Sequence, residues 1–141
     1  MDIRNTCEKD YEKIAELIIN ELGYQNLKHE DIHKRLEIIE KNNDHQTLVA
    51  CIDDKVVGFI GFCRTVTYET DEQITILAFA VFEKYQRQGI GKALLAQVKN
   101  YAEEHNIKII RVGCAFHRRN SHLFYEANGF EQVGITFYMN L

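Results

Sequence analysis

The sequence predicts an α+β domain built on one mixed, mostly antiparallel sheet flanked by helices. Stretches with helical apolar spacing and strand-like apolar runs follow one another in the order β-α-α-β-β-β-α-β-α-β. Two apolar runs, residues 73–82 and 107–114, enclose a strong helical pattern, and such a crossover almost always joins parallel strands. The length of 141 residues, 45% of them hydrophobic, suits a single domain over residues 1–141.

The elements of the first half follow from apolar spacing and turn residues. Residues 3–5 are predicted as a short strand and residues 8–22 as a helix, with Thr6 or Asp10 as its cap and Gly23 at its end. A second helix is predicted over residues 30–40. Residues 47–52 and 56–67 are predicted as two strands joined by a turn at Asp53-Asp54.

The second half contains the predicted buried strands. The near-continuous apolar run 73–82 is typical of a strand that is buried on both faces, and so is 107–114. Residues 89–105 carry the apolar stripe of an amphipathic helix. A short helix over 123–128 is expected to end at Gly129 in the left-handed conformation. Residues 132–141 are predicted as a last strand or pair of strands.

Composition excludes several classes of partner. The net charge of −4 gives no general attraction to nucleic acid or anionic lipid, so neither is expected as a partner. No apolar run reaches the ~18–20 residues that a membrane span needs. The first residues lack the basic start and apolar core of a signal peptide, and we therefore expect a cytoplasmic protein.

Metal binding is not expected either. The four cysteines contain no C-x-x-C pair and match no zinc spacing, and we expect buried, inert thiols among them. His29 and His33 would share a helix face, but two ligands without nearby cysteine partners make a poor zinc site.

The segment 81–92 carries the clearest chemical signal. It joins a predicted buried strand to the strongest helix, and Gly89 and Gly91 allow backbone to approach a ligand closely. The helix start offers unpaired N–H groups and the positive end of the helix dipole, and Arg87 and Lys92 add positive charge. The spacing is neither a dinucleotide fingerprint nor a P-loop. These residues favour a phosphate-bearing ligand, and the alternative is a turn that merely starts a helix.

Two motifs resemble the GNAT superfamily of N-acetyltransferases. Gln86, Gly89 and Gly91 fill the motif A pattern Gln/Arg-x-x-Gly-x-Gly/Ala, although Glu83 stands where proline is usual. Residues 118–130 resemble motif B and contain its complete Phe-Tyr-Glu-x-x-Gly-Phe ending, with Ser121 in place of the usual alanine. Both motifs occur in the expected order, so the resemblance covers nearly the whole chain.

The resemblance implies a binding mode for acetyl-CoA. In this family the cofactor lies in a V-shaped opening between the fourth and fifth strands, which form a parallel, splayed pair, and the fourth strand bulges. Backbone groups near Phe79 and Val81 would pair with the pantetheine, and Asn120 would contact it. The diphosphate would accept backbone N–H groups from Arg87, Gln88, Gly89, Ile90, Gly91 and Lys92.

The resemblance also implies a direct attack of a neutral amine on the thioester. Tyr125 matches the family tyrosine near the sulfur and is the candidate general acid, although from the pattern alone it is a packing aromatic. Backbone N–H near Val81 is the expected oxyanion donor. The general base is less defined: Glu72 is the nearest carboxylate before the fourth strand, and its alternative is a solvated turn residue, with water taking the proton. Tyr24, Tyr68 and Glu69 lie in segments that usually shape the acceptor pocket.

The leading hypothesis is therefore transfer of an acetyl group from acetyl-CoA to a primary amine of a small molecule. Aminoglycosides, polyamines, amino acids and aminophosphonates are all open as acceptors. The alternatives are a protein or peptide N-acetyltransferase, a non-catalytic acyl-CoA sensor, and a nucleotide-binding module, which would need a P-loop that is absent. Residues 133–139 are a candidate contact edge for a homodimer.

Overall fold

The structure, a computed structural model, describes all 141 residues. Five strands form one sheet in the order β1-β2-β3-β4-β5, with antiparallel neighbours except for the parallel pair β4–β5. The strands are β1 Asp2–Asn5, β2 His45–Ile52, β3 Lys55–Val66, β4 Glu72–Val81 and β5 Ile110–Val112. The helices are α1 Tyr11–Glu16, α2 His29–Glu40, α3 Ile90–Glu104 and α4 Arg119–Ala127. This arrangement confirms the predicted fold class.

The chain forms two compact units, residues 1–111 and residues 112–141. The first contains β1 to β4, α1 to α3 and most of β5, and the second contains α4 and the C-terminal residues. No helix in either unit has both the length and the apolar composition that crossing a membrane requires.

Helices cover both faces of the sheet in the first unit. On one face, Ile14 of α1 and Leu36 of α2 belong to a buried cluster that also contains Phe59 of β3. Phe62 lies three residues further along β3 and therefore on the opposite face, where its ring meets Tyr101 of α3 edge-on at 5.2 Å. The predicted apolar stripe of α3 is buried there, through Ile90, Leu94, Leu95 and Val98.

The first predicted helix is less regular than expected. Residues 8–22 form a 3₁₀ turn at Glu8–Asp10, then α1, then a π-helical turn at Leu17–Glu21. The π turn is closed by the Leu22 N–H, which donates to the Leu17 carbonyl at 3.1 Å. Gly23 follows at φ +83°, as predicted for the residue that ends the helix. Such π turns are rare in proteins, and those that do occur often lie at functional sites.

β4 contains a bulge that re-aims its second half. Ala78 is opposite Gly61 of β3 and Ile76 is opposite Phe62, so that Leu77 has no opposite residue and its side chain is 53% exposed. The resemblance implied a bulge in this strand, and the register confirms it. A bulge bends a strand and increases its twist, so residues 78–81 turn away from the direction of the first half of β4.

The prediction for β5 was too long at its N-terminal end. The Asn106 backbone has φ +55° and the Ile107 N–H donates to the Ala102 carbonyl at 2.8 Å, so these residues terminate α3. Regular pairing therefore begins only at Ile110 and ends at Val112.

The predicted last strand was wrong for the single chain. Residues 131–141 have no regular secondary structure, and every one of them is exposed. A strand exists only when a neighbour accepts and donates its backbone hydrogen bonds, and no strand of this chain pairs with these residues.

Candidate active site

The predicted phosphate loop lies between β4 and α3. A 3₁₀ turn at Glu83–Tyr85 follows the strand, and α3 starts at Ile90 after Gly89. The Gln86 side-chain amide donates from Nε2 to the Val81 carbonyl at 2.8 Å, which ties the loop to the strand end. This contact gives the motif glutamine a structural role, because it holds the turn closed.

Two loop residues adopt the left-handed conformation. Gly89 has φ +82° and Arg87 has φ +64°, and positive φ is uncommon for a residue with a side chain. Strain of this kind occurs mainly at ligand clamps and active sites. Left-handed residues in a turn direct successive N–H groups toward one concavity, which favours an anion.

The first turn of α3 adds further N–H groups to this candidate anion site. Ala93 N–H donates to the Gly89 carbonyl at 3.0 Å, so the intrahelical bonds begin there. The N–H groups of Ile90, Gly91 and Lys92 precede this bond and have no partner within the helix. A 15-residue helix presents the positive end of its dipole at this position. The loop thus has the donors and the field that a diphosphate requires.

The strand before the loop extends beyond its parallel neighbour. β5 pairs over three residues, whereas β4 continues to Val81 after its bulge. Phe79 is opposite Ile60 and Val81 is opposite Gly58, so β3 covers one edge of this part of β4. Pairing with β5 therefore accompanies β4 for only part of its length.

Tyr125 lies in the second unit, on α4. Its ring meets Phe124 at 5.6 Å and Phe130 at 5.4 Å, both edge-on. Gly129 has φ +91°, as predicted, and lets the Phe130 N–H return to the Tyr125 carbonyl at 3.0 Å. The motif ending therefore builds an aromatic setting around the tyrosine.

This setting changes the acidity of Tyr125. Desolvation by burial, with a smaller contribution from Cys114, raises the pKa of the phenol to about 12, although Arg118 acts in the opposite direction. A higher pKa keeps the phenol protonated and thus able to donate a proton. Asn120, the predicted pantetheine contact, is an exposed residue in the first turn of the same helix.

Glu72, the candidate base, lies far from the loop along β4. It is the first residue of the strand, and Val81 is the last, which corresponds to about 30 Å at ~3.3 Å per residue. Both of its carboxylate oxygens accept hydrogen bonds from Nη2 of Arg64, at 2.9 and 3.0 Å. Position and partner both disfavour Glu72 as the base for chemistry at the other end of the strand.

The three candidate acceptor residues do not converge. Tyr68 and Glu69 lie in the turn that precedes β4, at the end occupied by Glu72, and both are exposed. Tyr24 follows the π turn of the first helical segment and is 58% exposed. The π turn lies near the opposite end of β4, because Glu21 at its end contacts Glu83.

Glu21 is a residue that the sequence prediction missed. It ends the π turn, and its Oε1 accepts a hydrogen bond from the Glu83 N–H at 3.2 Å, directly after β4. A carboxylate is therefore held beside the strand end where the loop begins. The sequence offered no signal for this contact, because the two residues are 62 positions apart and the π turn is not encoded in the apolar spacing.

The cysteines and histidines form no metal centre. No group of three or more His, Cys, Asp or Glu side chains is placed to hold a metal ion. Burial raises the pKa of Cys51, Cys63 and Cys114, which disfavours the reactive thiolate. His29 and His33 each approach one oxygen of Glu12, at 2.6 and 3.2 Å.

Comparison with known proteins identifies the family. Residues 11–130 match the sequence profile of the Acetyltransferase (GNAT) family. Over 88 residues the chain is 30% identical to human N-acetylaspartate synthetase. The aligned region covers 62% of this chain but only 28% of that protein. The chain thus spans less than a third of the length of this curated relative.

Solved structures share the fold across nearly the whole chain. A transcriptional regulator from Bacillus halodurans C-125 matches with a TM-score of 0.88 at 23% identity, over 99% of both chains. The aminoglycoside N-acetyltransferase AAC(6')-Iy in complex with CoA matches with a TM-score of 0.87 at 16% identity, over 99% of this chain and 93% of that one.

Fold, loop and profile together define an acyltransferase-type domain. The chain belongs to the GNAT acetyltransferase family.

Proposed function

We propose that the protein transfers the acetyl group of acetyl-CoA to a primary amine of a small molecule. The observation that carries this proposal is the loop between β4 and α3, where two left-handed residues and a free helix start provide the donors for a diphosphate. A family relative of known structure in complex with CoA supports the same cofactor. The backbone of Arg87, Gln88, Gly89, Ile90, Gly91 and Lys92 would hold the diphosphate, and Phe79, Val81 and Asn120 the pantetheine.

Within this proposal, Tyr125 protonates the departing thiolate. The amine nitrogen attacks the thioester carbonyl carbon. The resulting tetrahedral oxyanion accepts a hydrogen bond from a backbone N–H near Val81, and the carbon–sulfur bond then breaks. The sulfur takes the phenol proton of Tyr125, whose pKa of about 12 keeps that proton available at all working pH values. The nitrogen of the new amide loses its extra proton to solvent, and solvent returns a proton to the Tyr125 phenolate.

We assign no base role to Glu72, because Arg64 binds its carboxylate at the far end of β4. Glu21 is the carboxylate that the structure holds beside the end of the strand. Its negative charge would orient a cationic amine there, and Tyr24, three residues further on, would border the same region. Water remains the acceptor of the proton.

The acceptor is proposed from chemistry rather than from one relative. Aminoglycoside N-acetyltransferases share the fold, and N-acetylaspartate synthetase is a relative by sequence. A carboxylate at Glu21 favours polycationic amines over an acidic amino acid, because two negative groups repel one another.

An amine panel tests the reaction. The protein is mixed with acetyl-CoA and one amine at a time, namely an aminoglycoside, a polyamine, aspartate, an aminoalkylphosphonate or a peptide, and free thiol is followed. We expect release with a polycationic small molecule at a rate well above that without amine. Thiol release with the peptide but with none of the small amines would identify a protein acetyltransferase. Binding of acetyl-CoA without thiol release on any amine would identify a sensor. Failure to bind CoA would remove the proposal.

Replacing Gly89 with valine should weaken acetyl-CoA binding about tenfold or more, since each hydrogen bond to a charged group contributes roughly 1.5–3 kcal/mol. A β-branched residue resists φ +82°, so the N–H groups of the loop would move. No atom lies within 4 Å of the added Cβ, so the effect would come from the backbone and not from a clash. Isothermal titration with acetyl-CoA measures the affinity.

Gly23→Val is the matched control, because Gly23 has φ +83° and equally open surroundings. It should lose a similar amount of stability in thermal unfolding while its affinity for acetyl-CoA is unchanged. Equal affinities of the Gly89→Val variant and the natural protein would contradict the assignment of the loop.

A further inference from the structure

A cleft of about 500 Å³ lies beside the C-terminal half of α3, and all of its lining residues belong to the unit of residues 1–111. Arg64, which lines it, is opposite Ile74 near the start of β4, whereas the β4–α3 loop follows Val81 at the end of that strand. His105, which also lines it, follows the 15-residue helix α3, roughly 22 Å from the helix start at ~1.5 Å per residue. The cleft is therefore separate from the candidate active site.

The sheet supplies the floor of the cleft. Gln46 of β2 is opposite Phe62 of β3, and alternate residues of a strand share a face, so Leu48 and Arg64 lie on the same side as this pair. Phe62 is 1% exposed and Leu48 is half-buried. The floor is thus apolar, with one polar side chain contributed by each strand.

Helix α3 supplies the wall. Four side chains at spacings of three and four residues, and therefore on one helix face, line the cleft: Gln97, Asn100, Tyr101 and Glu104. The His105 ring stacks on the Tyr101 ring at 4.0 Å, and its Nδ1 donates a hydrogen bond to the Tyr101 carbonyl at 2.8 Å. The wall thus presents two rings in a fixed arrangement next to polar side chains.

Unused hydrogen-bonding capacity converges on this cleft. Four carboxamide side chains line it, those of Asn43, Gln46, Gln97 and Asn100. None of the four makes a side-chain hydrogen bond within the chain. A carboxamide both donates and accepts, so the cleft offers neutral donors and acceptors side by side.

The cleft has no excess of charge that would select an ion. Both carboxylate oxygens of Glu72 accept hydrogen bonds from Nη2 of Arg64, at 2.9 and 3.0 Å, so the cation of the cleft is already paired. Besides Arg64, the lining contains one acid, Glu104, and one imidazole, His105, and both are exposed. A neutral ligand therefore suits the site better than an anion or a cation.

We propose that this cleft binds a neutral carbohydrate, a mono- or disaccharide. Each sugar hydroxyl donates and accepts, as each carboxamide does, so the two kinds of group can satisfy one another. The C–H face of a sugar ring is apolar and would pack on the apolar body of the His105 and Tyr101 rings. The volume is within the roughly 300–1,000 Å³ of small-molecule sites. This inference does not depend on the acetyl-transfer reaction, because the cleft and the β4–α3 loop share no residue.

Nuclear magnetic resonance of the carboxamides tests the proposal directly. The full chain, labelled with ¹⁵N, is titrated with maltose, lactose and cellobiose in turn. With at least one of these neutral disaccharides, we expect saturable shifts of the side-chain NH₂ signals of the four carboxamides. The NH₂ signals of Gln25 and Asn26, which are exposed and lie outside the cleft, should not move.

The double variant Gln97→Ala/Asn100→Ala removes two of the carboxamides. Its affinity for the disaccharide should fall about tenfold, since two hydrogen bonds are lost. Both side chains are exposed and alanine favours a helix, so circular dichroism should be unchanged. Lys99→Ala/Glu103→Ala is the matched control, because these exposed residues of α3 do not line the cleft, and it should keep the natural affinity. Both variants should bind acetyl-CoA as the natural protein does.

Three results would each overturn the proposal. The first is the absence of saturable shifts with all three disaccharides. The second is an equal affinity of the natural protein and both double variants for the sugar, which would place its binding elsewhere. The third is binding of N-acetylglycinamide at the four carboxamides in preference to the sugars, which would identify the cleft as a site for amide groups.

Discussion

Tyr125→Phe should lower kcat by about 10²- to 10³-fold, which is the range of a general acid. The variant keeps the ring that meets Phe124 and Phe130 and removes only the hydroxyl group. Without a proton donor, the thiolate of CoA must leave as an anion. KM for acetyl-CoA should change little, because the proposed diphosphate site is the backbone of the β4–α3 loop and not Tyr125. Steady-state thiol release at saturating amine measures both parameters.

The leaving group distinguishes proton donation from a structural role. An acetyl thioester of a more acidic thiol needs less protonation, so its loss of rate in Tyr125→Phe should be smaller than the loss with acetyl-CoA. A merely structural tyrosine would slow both thioesters equally. Tyr138→Phe removes a hydroxyl group from a side chain that is 92% exposed and should retain the natural kcat.

The pH profile gives a second readout. The pKa of Tyr125 is raised to about 12, so the natural protein should show no decline in kcat from tyrosine ionisation up to about pH 10. In the variant the chemical step becomes limited by thiolate departure. A natural profile that falls between neutral pH and pH 10 through loss of the phenol proton would contradict the assignment.

Local patterns explain why so much of the fold was predictable. The ends of α2, α3 and the long strands agree with apolar spacing to within one or two residues, because each of these elements buries one stripe or face. Gly23, Gly89 and Gly129 all adopt positive φ, as helix-end and loop glycines do. The π turn at Leu17–Glu21 was not predictable, because apolar spacing over five residues does not distinguish one π-helical turn from an α-helical turn.

The candidate site was predictable only where its residues are contiguous in sequence. The β4–α3 loop is one stretch of sequence, and its donors are backbone groups. Glu72 was chosen because it precedes β4 in sequence, but a ten-residue strand separates its ends by roughly 30 Å. Glu21, which the structure holds beside Glu83, is distant in sequence and could not be found by proximity.

Asp10→Ala should lower the free energy of unfolding by about 3 kcal/mol, the low end of the range for breaking a buried ion pair. Asp10 is 3% exposed and accepts two hydrogen bonds from Arg4, at 2.7 and 2.9 Å, and one from the Cys7 N–H at 2.9 Å. Its removal leaves the Arg4 guanidinium, whose side chain is 32% exposed, without its ion-pair partner and with the Asn5 carbonyl at 3.1 Å as a remaining acceptor. Urea unfolding followed by circular dichroism measures the change.

Glu16→Ala is the control for this variant. Glu16 also pairs with a cation, Lys13, at 3.2 Å, but the two side chains are 33% and 51% exposed. Exposed pairs contribute roughly 0–1 kcal/mol, so the control should remain near the natural stability. Equal losses of unfolding free energy in the two variants would show that the Arg4–Asp10 pair contributes no more than an exposed pair.

The effect of Asp10→Ala should also depend on pH. Burial alone would raise the pKa of Asp10, but hydrogen bonds from Arg4 and Cys7 outweigh burial and lower it to about 2 from its ordinary 3.8. A depressed folded-state pKa stabilises the fold above pH 3.8, and this contribution, about 2 kcal/mol, is lost as the pH falls toward 2. The stability difference between the natural protein and Asp10→Ala should therefore be constant above about pH 5 and shrink in acid. A difference that persists unchanged at pH 2 would mean that packing at Asp10, and not its charge, anchors β1 to the first helical turn.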